Sequence, residues 1–286
     1  MSIPVIKVEG ETIPEAWELS LIETWRNGIE IKTEYDKESE PPSKDCTMIM
    51  VIRDPLKEPR IHLSFPGGFV DLEKYRLEVV EGVHDNWIDP ESGKWTYTYH
   101  QRLFKYPIGS VDQISYIVEK LSKVYYSRRA QAITWVPNFD PNTDDPPCLQ
   151  RVWCRCVEDD GVLKLNMNTH WRSRDAYKAA FMNMFALTDL QRVIAERLSE
   201  KMGKRVEVGR YVDVSDSYHI YGSYFEDFRE RFLKALEEKK FYNKNIRLSR
   251  CISSDHPLVR KGFEAARRLI EIEKKTGLKG VYTLQQ

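Results

Sequence analysis

The sequence has no excess charge of either sign: 44 lysines and arginines stand against 44 aspartates and glutamates. A bulk attraction to nucleic acid or to an anionic membrane surface is therefore not its means of action. No apolar run comes near the roughly 18 residues that a membrane span requires, and residues 1–10 lack the apolar core of a secretory signal. Cysteine is scarce. Cys46, Cys148, Cys154, Cys156 and Cys251 are an odd five in 286 residues, which excludes a disulfide framework and reads as reduced thiols in a cytoplasmic protein. Internal repeats and low-complexity stretches are also missing. What is present is a 41% hydrophobic chain with 12% aromatics, enough for a sizeable core. The length admits one large domain or two small ones, and a single domain over 1–286 is the reading adopted.

Hydrophobic spacing predicts helices over 13–27, 75–87, 111–124, 176–202, 225–239 and 258–275. In the third of these, Ile114, Ile117, Val118 and Leu121 share one stripe, and Gly203 ends the fourth. Strands are expected over 46–52, 130–136, 150–157, 162–169 and 206–214. Glu158-Asp159-Asp160-Gly161 turns the third into the fourth as a hairpin. Polar or proline-rich loops fill 33–44, 64–69 and 139–147. The pattern is α+β, with a mixed or antiparallel sheet at the centre.

Several residues stand out chemically. Cys148 follows Pro146-Pro147, so its backbone enters a strand on a stiff approach. A thiolate is a strong nucleophile when nearby cations favour it, and arginines are expected to do so here. The plainer reading is a buried small apolar side chain. Cys154 and Cys156 share strand parity with Cys148, but no fourth ligand completes a zinc set, so core packing is expected for both and no metal is predicted. Arg172-Ser173-Arg174-Asp175 offers a guanidinium fork and a hydroxyl suited to an anion, with Arg172 and Ser173 closing a strand. Asp175 then reads either as a ligand group or as the N-cap of the helix at 176. Arg128 and Arg129, after Ser127, form a second cationic pair. Asn183 lies eight residues beyond Asp175, on the same face of that helix by spacing, within an apolar run where a buried amide needs partners. His219 and Tyr221 point the same way in an extended chain. They offer donors to a ligand, or they line a core edge.

In this order, Ser127-Arg128-Arg129, Pro146-Pro147-Cys148, Arg172-Ser173-Arg174-Asp175, Asn183 and His219-Ile220-Tyr221 resemble the thymidylate synthase and pyrimidine hydroxymethylase superfamily, with the resemblance clearest over 127–228. The resemblance implies a thymidylate synthase-like α+β fold, with a central mixed sheet, flanking helices and a homodimer formed through the sheet with shared active sites. It implies a pyrimidine nucleotide monophosphate as partner, with no nucleic acid or membrane. The one-carbon donor would be 5,10-methylenetetrahydrofolate or a modified tetrahydropterin. Cys148 would attack C6 of the ring. Arg172 and Ser173, with Arg128 and Arg129 from the neighbouring subunit, would hold the phosphate. Asn183 would read the pyrimidine edge, its amide matching N3–H and O4 of uracil. His219 and Tyr221 would hold the sugar, Asp175 would orient the pterin, and Tyr99 would sit in the catalytic water network. The reaction implied is methylation of dUMP to dTMP. A 5-hydroxymethylase of dUMP, dCMP or CMP is the alternative, and a nucleotide- or RNA-binding module with a silent thiol is the reading from another class. The chain departs from the family at Leu149, where His is usual, and at Ala179-Ala180-Phe181-Met182-Asn183, where Gly-x-Pro-Phe-Asn is usual. For the family's catalytic glutamate, Glu78 and Glu81 are the candidates. Residues 281–286 do not resemble the tail that closes over the folate.

Overall fold

The computed structural model describes residues 2–92, 95–238 and 248–280; the 281–286 tail lies outside them. In chain order the main elements are β1 (Val5–Gly10), α1 (Ile13–Asn27), β2 (Ile29–Ile31), β3 (Ser43–Ile52), β4 (Ile61–His62), α2 (Phe69–Glu81), α3 (Tyr99–Phe104), α4 (Gln113–Lys123), β5 (Gln131–Ile133), β6 (Leu149–Asp159), β7 (Val162–Asp175), α5 (Ala180–Met202) and β8 (Val206–Ile220). A helical run then passes from α6 (Phe225–Asp227) through a π-helical stretch, Phe228–Leu233, to α7 (Lys234–Glu238), and β9 (Cys251–Ile252) and α8 (Pro257–Thr276) close the described chain. Lys239, the expected end of the 225–239 helix, lies outside the described residues.

Seven strands form a mixed sheet in the order β1-β3-β8-β7-β6-β5, with β2 added against β3. β1 runs parallel to β3 and β7 parallel to β8, while the remaining pairs are antiparallel. The β6–β7 hairpin is tighter than expected. Asp159 pairs with Val162, so only Asp160 and Gly161 turn, and both take the positive φ that a two-residue hairpin loop demands.

Local chemistry explains the helix ends. Thr12 caps α1 by accepting from the Glu15 amide, and Pro14 sits in the first turn, where its missing N–H costs nothing. Trp17, Leu21 and Ile22 of α1 and Phe185, Leu190 and Ile194 of α5 then cover Met48, Met50, Leu165, Met167 and Tyr211 on one face of the sheet, in one contiguous core. Alternate residues of the same strands, Ile49, Val51, Val212 and Val214, stay part-exposed on the other face, where Ile49 pairs with Val214 and Val51 with Val212.

Four expectations change. α5 begins at Ala180 rather than 176, because β7 runs on to Asp175 and the chain turns through 176–179 before the helix starts. The strand expected over 206–214 continues to Ile220, since both β3 and β7 pair with that stretch. The helix expected over 75–87 lies at Phe69–Glu81 and stops at Gly82, whose φ of 64° ends it. β1, β2, β4, β9 and α3 have no counterpart among the expected elements.

α8 crosses α2 closely. A Cβ on Gly262 would lie 2.6 Å from Phe69 Cβ. Gly262→Ala should therefore destabilise the protein by about 1–3 kcal/mol through overpacking, read as a lower urea midpoint with an unchanged slope.

Candidate active site

The nucleophile candidate sits where two prolines prevent ordinary pairing. Pro146 and Pro147 have no N–H for a sheet ladder, and their carbonyls need donors. Arg172 of β7 supplies them, its Nη2 donating to Pro146 O at 2.6 Å and its Nε to Pro147 O at 3.1 Å. The Arg172 amide donates to Cys148 O at 2.9 Å. On the other side, the Leu149 amide donates to the Tyr99 hydroxyl at 3.3 Å. Tyr99 opens α3, which Thr98 caps by accepting from the Gln101 amide at 3.0 Å. Cys148 is half-buried at this junction.

Cys154 and Cys156 pack in the core, as expected, and burial pushes the Cys156 thiol up to about 12. The shared parity with Cys148 fails, because a register shift between Leu149 and Arg151 moves the strand by one residue.

Beside Cys148 lies a cavity of about 400 Å³, lined by Glu78, residues 95–99, Asp144 and Asp145. Tyr97 and Tyr99 line it within electrostatic reach of the thiol, and Asp145 is also within its reach. Glu78 is the candidate glutamate that faces this space; Glu81 is exposed and lies 3.9 Å from Arg76. Asn183 Nδ2 donates to the Tyr75 hydroxyl at 2.5 Å, and Tyr75 lies within electrostatic reach of Tyr99 and Glu78. Asn183 thus joins the cavity through Tyr75, a residue that no motif signalled.

Asp175 does not open a helix. It ends β7 opposite His219 of β8, and its Oδ1 accepts from the amides of Tyr177 and Lys178 at 3.0 and 2.8 Å. A face shared with Asn183 along one helix therefore does not exist, since only Asn183 is helical. Burial raises the Asp175 carboxyl to about 6, against the opposing pull of those two amides. Ser173 lies opposite Ser217 in the same ladder.

His219 is buried, and burial lowers its imidazole to about 4, so the ring is neutral near pH 7. Ser217 Oγ donates to Asp45 Oδ2 at 2.7 Å and stands 3.1 Å from His219 Nδ1. With the serine proton spent on Asp45, Nδ1 carries the ring proton and Nε2 is a bare acceptor. Among the described residues Nε2 has no hydrogen-bond partner. Tyr221 packs edge-on against His219 at 4.5 Å, within electrostatic reach of both Asp175 and Cys148.

Arg128 and Arg129 are not brought to Cys148 of their own chain. Both are exposed. The Arg128 carbonyl accepts from Trp153 Nε1, and Trp153 is five residues, or roughly 16 Å, along β6 from the thiol. Arg174, the unassigned position of the Arg-Ser-x-Asp run, is fully buried instead. It pairs with Asp213, and its guanidinium lies 4.2 Å from the centre of the Trp171 ring, which meets Tyr99 edge-on.

The fold and this arrangement define an α+β protein with a cysteine, a carboxylate and a neutral histidine gathered at one end of a mixed sheet. A family model described as thymidylate synthase matches residues 71–253. A protein of Methanopyrus kandleri described as "Putative thymidylate synthase" is 32% identical over 192 residues, covering 66% of this chain and 83% of its own. A protein of Methanosarcina mazei with the same description is 31% identical over 217 residues, covering 75% and 88%. Among solved structures, thermostable thymidylate synthase A from Bacillus subtilis aligns with a TM-score of 0.56 at 19% identity, over 77% of this chain and 83% of that one. The chain belongs to the thymidylate synthase family.

Arg172 and Arg174 favour the Cys148 thiolate, as expected of neighbouring arginines, but they are outweighed. Burial raises the thiol above its ordinary value, and Arg172 and Arg174 offset only part of this, against Asp145. Alkylation of Cys148 by iodoacetamide, followed by mass spectrometry, should therefore rise with pH along a curve midpointed above an ordinary thiol's. Arg172→Ala should move that midpoint higher and Asp145→Asn lower.

Proposed function

We propose that the protein transfers a one-carbon unit to C5 of a pyrimidine nucleotide monophosphate, methylating dUMP to dTMP. The observation that carries this reading is the pairing of Glu78 and Tyr99 on one cavity, with the Cys148 thiol within electrostatic reach of Tyr99. Asn183 bonds Tyr75, which is within reach of both Tyr99 and Glu78. A nucleotide- or RNA-binding module needs no thiol beside a carboxylate.

A tetrahydropterin fits the cavity. Its volume is that of a small-ligand site, Trp95, Tyr97 and Tyr99 offer flat walls, and Glu78, Asp144 and Asp145 offer acceptors for ring N–H groups. Asp175, with its raised carboxyl, is the further contact proposed for that ring. The bound pterin would supply the one-carbon unit at the methylene level and, for a methyl product, the hydride that reduces it. Cys148 would be released from C6 in the same stage, and water in place of hydride would give the hydroxymethyl product.

The residues then divide the work. Arg172 and Ser173 hold the phosphate, and Arg172 can exchange its proline carbonyls for the stronger charge-assisted bonds of an anion. The bare His219 Nε2 suits a sugar hydroxyl as donor, with Tyr221 beside it. Cys148 adds to C6. Asn183 reads the N3 and O4 edge and steadies charge that develops on O4. Glu78, with Tyr99 and water between, removes the C5 proton. Asn183 favours uracil over cytosine. Leu149, where the family has His, keeps a hydroxymethyl product as the second reading.

The part-exposed apolar patch of Ile49, Val51, Val212 and Val214 is proposed as the centre of a homodimer interface, across which Arg128 and Arg129 serve the neighbour's phosphate. Five free thiols suit a cytoplasmic setting.

Incubation with 5-fluoro-dUMP and 5,10-methylenetetrahydrofolate should give a covalent adduct on Cys148 by mass spectrometry. Tritium release from C5-labelled dUMP should exceed that from dCMP, with the product analysed for methyl against hydroxymethyl. Cys148→Ala should abolish both signals. No adduct with any pterin or pyrimidine nucleotide would overturn the reading. In sedimentation the protein should run as a dimer, and Val214→Arg should give inactive monomer.

A further inference from the structure

The cavity carboxylate is held from behind by a buried relay. His84 Nδ1 lies 2.7 Å from Glu78 Oε2, and His84 Nε2 lies 3.3 Å from Glu273 Oε2. Glu273 Oε1 in turn accepts from Lys74 Nζ at 2.6 Å. His84 is 4% exposed, Glu273 4% and Lys74 7%. The Trp87 ring stacks on the imidazole at 4.0 Å, and Trp95, a cavity wall, meets it edge-on at 6.0 Å.

The backbone makes this possible. Gly82 ends α2 in the left-handed region, and a Cβ there would stand 2.2 Å from His100 Nδ1. The chain doubles back so that His84, six residues after Glu78, returns to its side chain. The same turn carries Asp85, which accepts from Thr98 Oγ1 at 2.5 Å and faces His100 Nδ1 at 2.7 Å. Thr98 caps the helix that Tyr99 opens. One turn thus fixes both Glu78 and the wall holding Tyr99. Glu273 comes from the last turns of α8, beyond residues 71–253 that match the family model.

A glutamate at the end of a helix has several rotamers of similar energy. A donor fixed on one oxygen selects among them and leaves the other oxygen for the cavity. The imidazole can do this only if its own plane is fixed, and the stacked Trp87 together with Glu273 fix it.

We propose that His84 is a positioning residue for the C5 base. Its Nδ1 sets the rotamer of the Glu78 carboxylate, and Glu273, at the end of a helix outside the family match, sets the imidazole. This rests on the reading of Glu78 as that base.

The experiment measures tritium release from C5-labelled dUMP with 5,10-methylenetetrahydrofolate, in folded variants whose melting is checked first. His84→Ala should lower kcat about 100-fold, the scale of a misplaced catalytic group, with the dUMP KM within about two-fold. The side-chain amide of Asn reaches near the Nδ1 position and that of Gln near Nε2. His84→Asn should therefore recover at least about ten-fold of the loss, and His84→Gln should not. Glu273→Gln should give a smaller loss of kcat. Added to Glu78→Gln, His84→Ala should cost nothing further, as expected when one residue acts only through the other. A better rescue by Gln than by Asn would show that His84 merely anchors α8 and would overturn the proposal. So would additive losses in the double variant, or wild-type kcat in His84→Ala. Absence of tritium release by the wild-type enzyme from any pyrimidine nucleotide would instead overturn the one-carbon reading on which the proposal rests.

Discussion

Two prolines in succession ahead of a central strand create a problem that the site is built around. Pro146 and Pro147 bring no N–H to the sheet, and their carbonyls face the neighbouring strand without backbone donors. Arg172 meets both with Nη2 and Nε while its own amide bonds Cys148 O. One side chain thereby satisfies the chain before the thiol and fixes the thiol against β7. The Leu149 amide, the first after the thiol, goes to Tyr99 rather than to a strand. Cys148 is thus placed by bonds to its neighbours, and the cation nearest to it is committed to backbone until an anion competes for it. In the function proposed above, phosphate binding and thiol placement would share one guanidinium.

The electrostatics around Cys148, Asp175 and His219 follow one rule. Burial pushes Cys148, Asp175 and His219 towards their uncharged forms: Cys148 upward, Asp175 up to about 6 and His219 down to about 4. Arg174 is the exception, its charge held deep in the core by Asp213. Such a buried pair is weak support for stability, since both ions lose water. Here it places a permanent positive charge beneath the thiol, and it lowers the cost of forming thiolate. The position is the variable one of the Arg-Ser-x-Asp run, so its role comes from depth rather than from the motif.

How much of this could be read from the sequence depends on range. α1 was legible to the residue because its cap, first-turn proline and apolar stripe are local. The hairpin at Asp160-Gly161 was legible for the same reason. The order of cysteine, arginine, asparagine and histidine motifs was enough to name the family. Asp175 was misplaced because a carboxylate bonding the next amides reads alike before a helix and at the end of a strand. Tyr75 was invisible, since its bond to Asn183 spans 108 residues. The choice between Glu78 and Glu81 was undecidable by spacing, because it turns on Gly82 bringing His84 back onto Glu78 and not onto its neighbour.

The proposed phosphate site has little uncommitted positive charge within one chain, among the described residues. Within electrostatic reach of Cys148 lie the committed guanidinium of Arg172, the buried one of Arg174 and the carboxylate of Asp145, and Glu78 and Asp144 line the cavity with Asp145. A doubly charged phosphate would enter a space with more acidic than available basic groups, at distances where a low dielectric makes each charge count. Arg128 and Arg129 are exposed cations that are not brought to Cys148 of their own chain. Across the dimer proposed above they would supply that charge. The dimer proposed above would then answer two needs at once, covering the part-exposed apolar patch of β3 and β8 and bringing a counter-charge to the nucleotide.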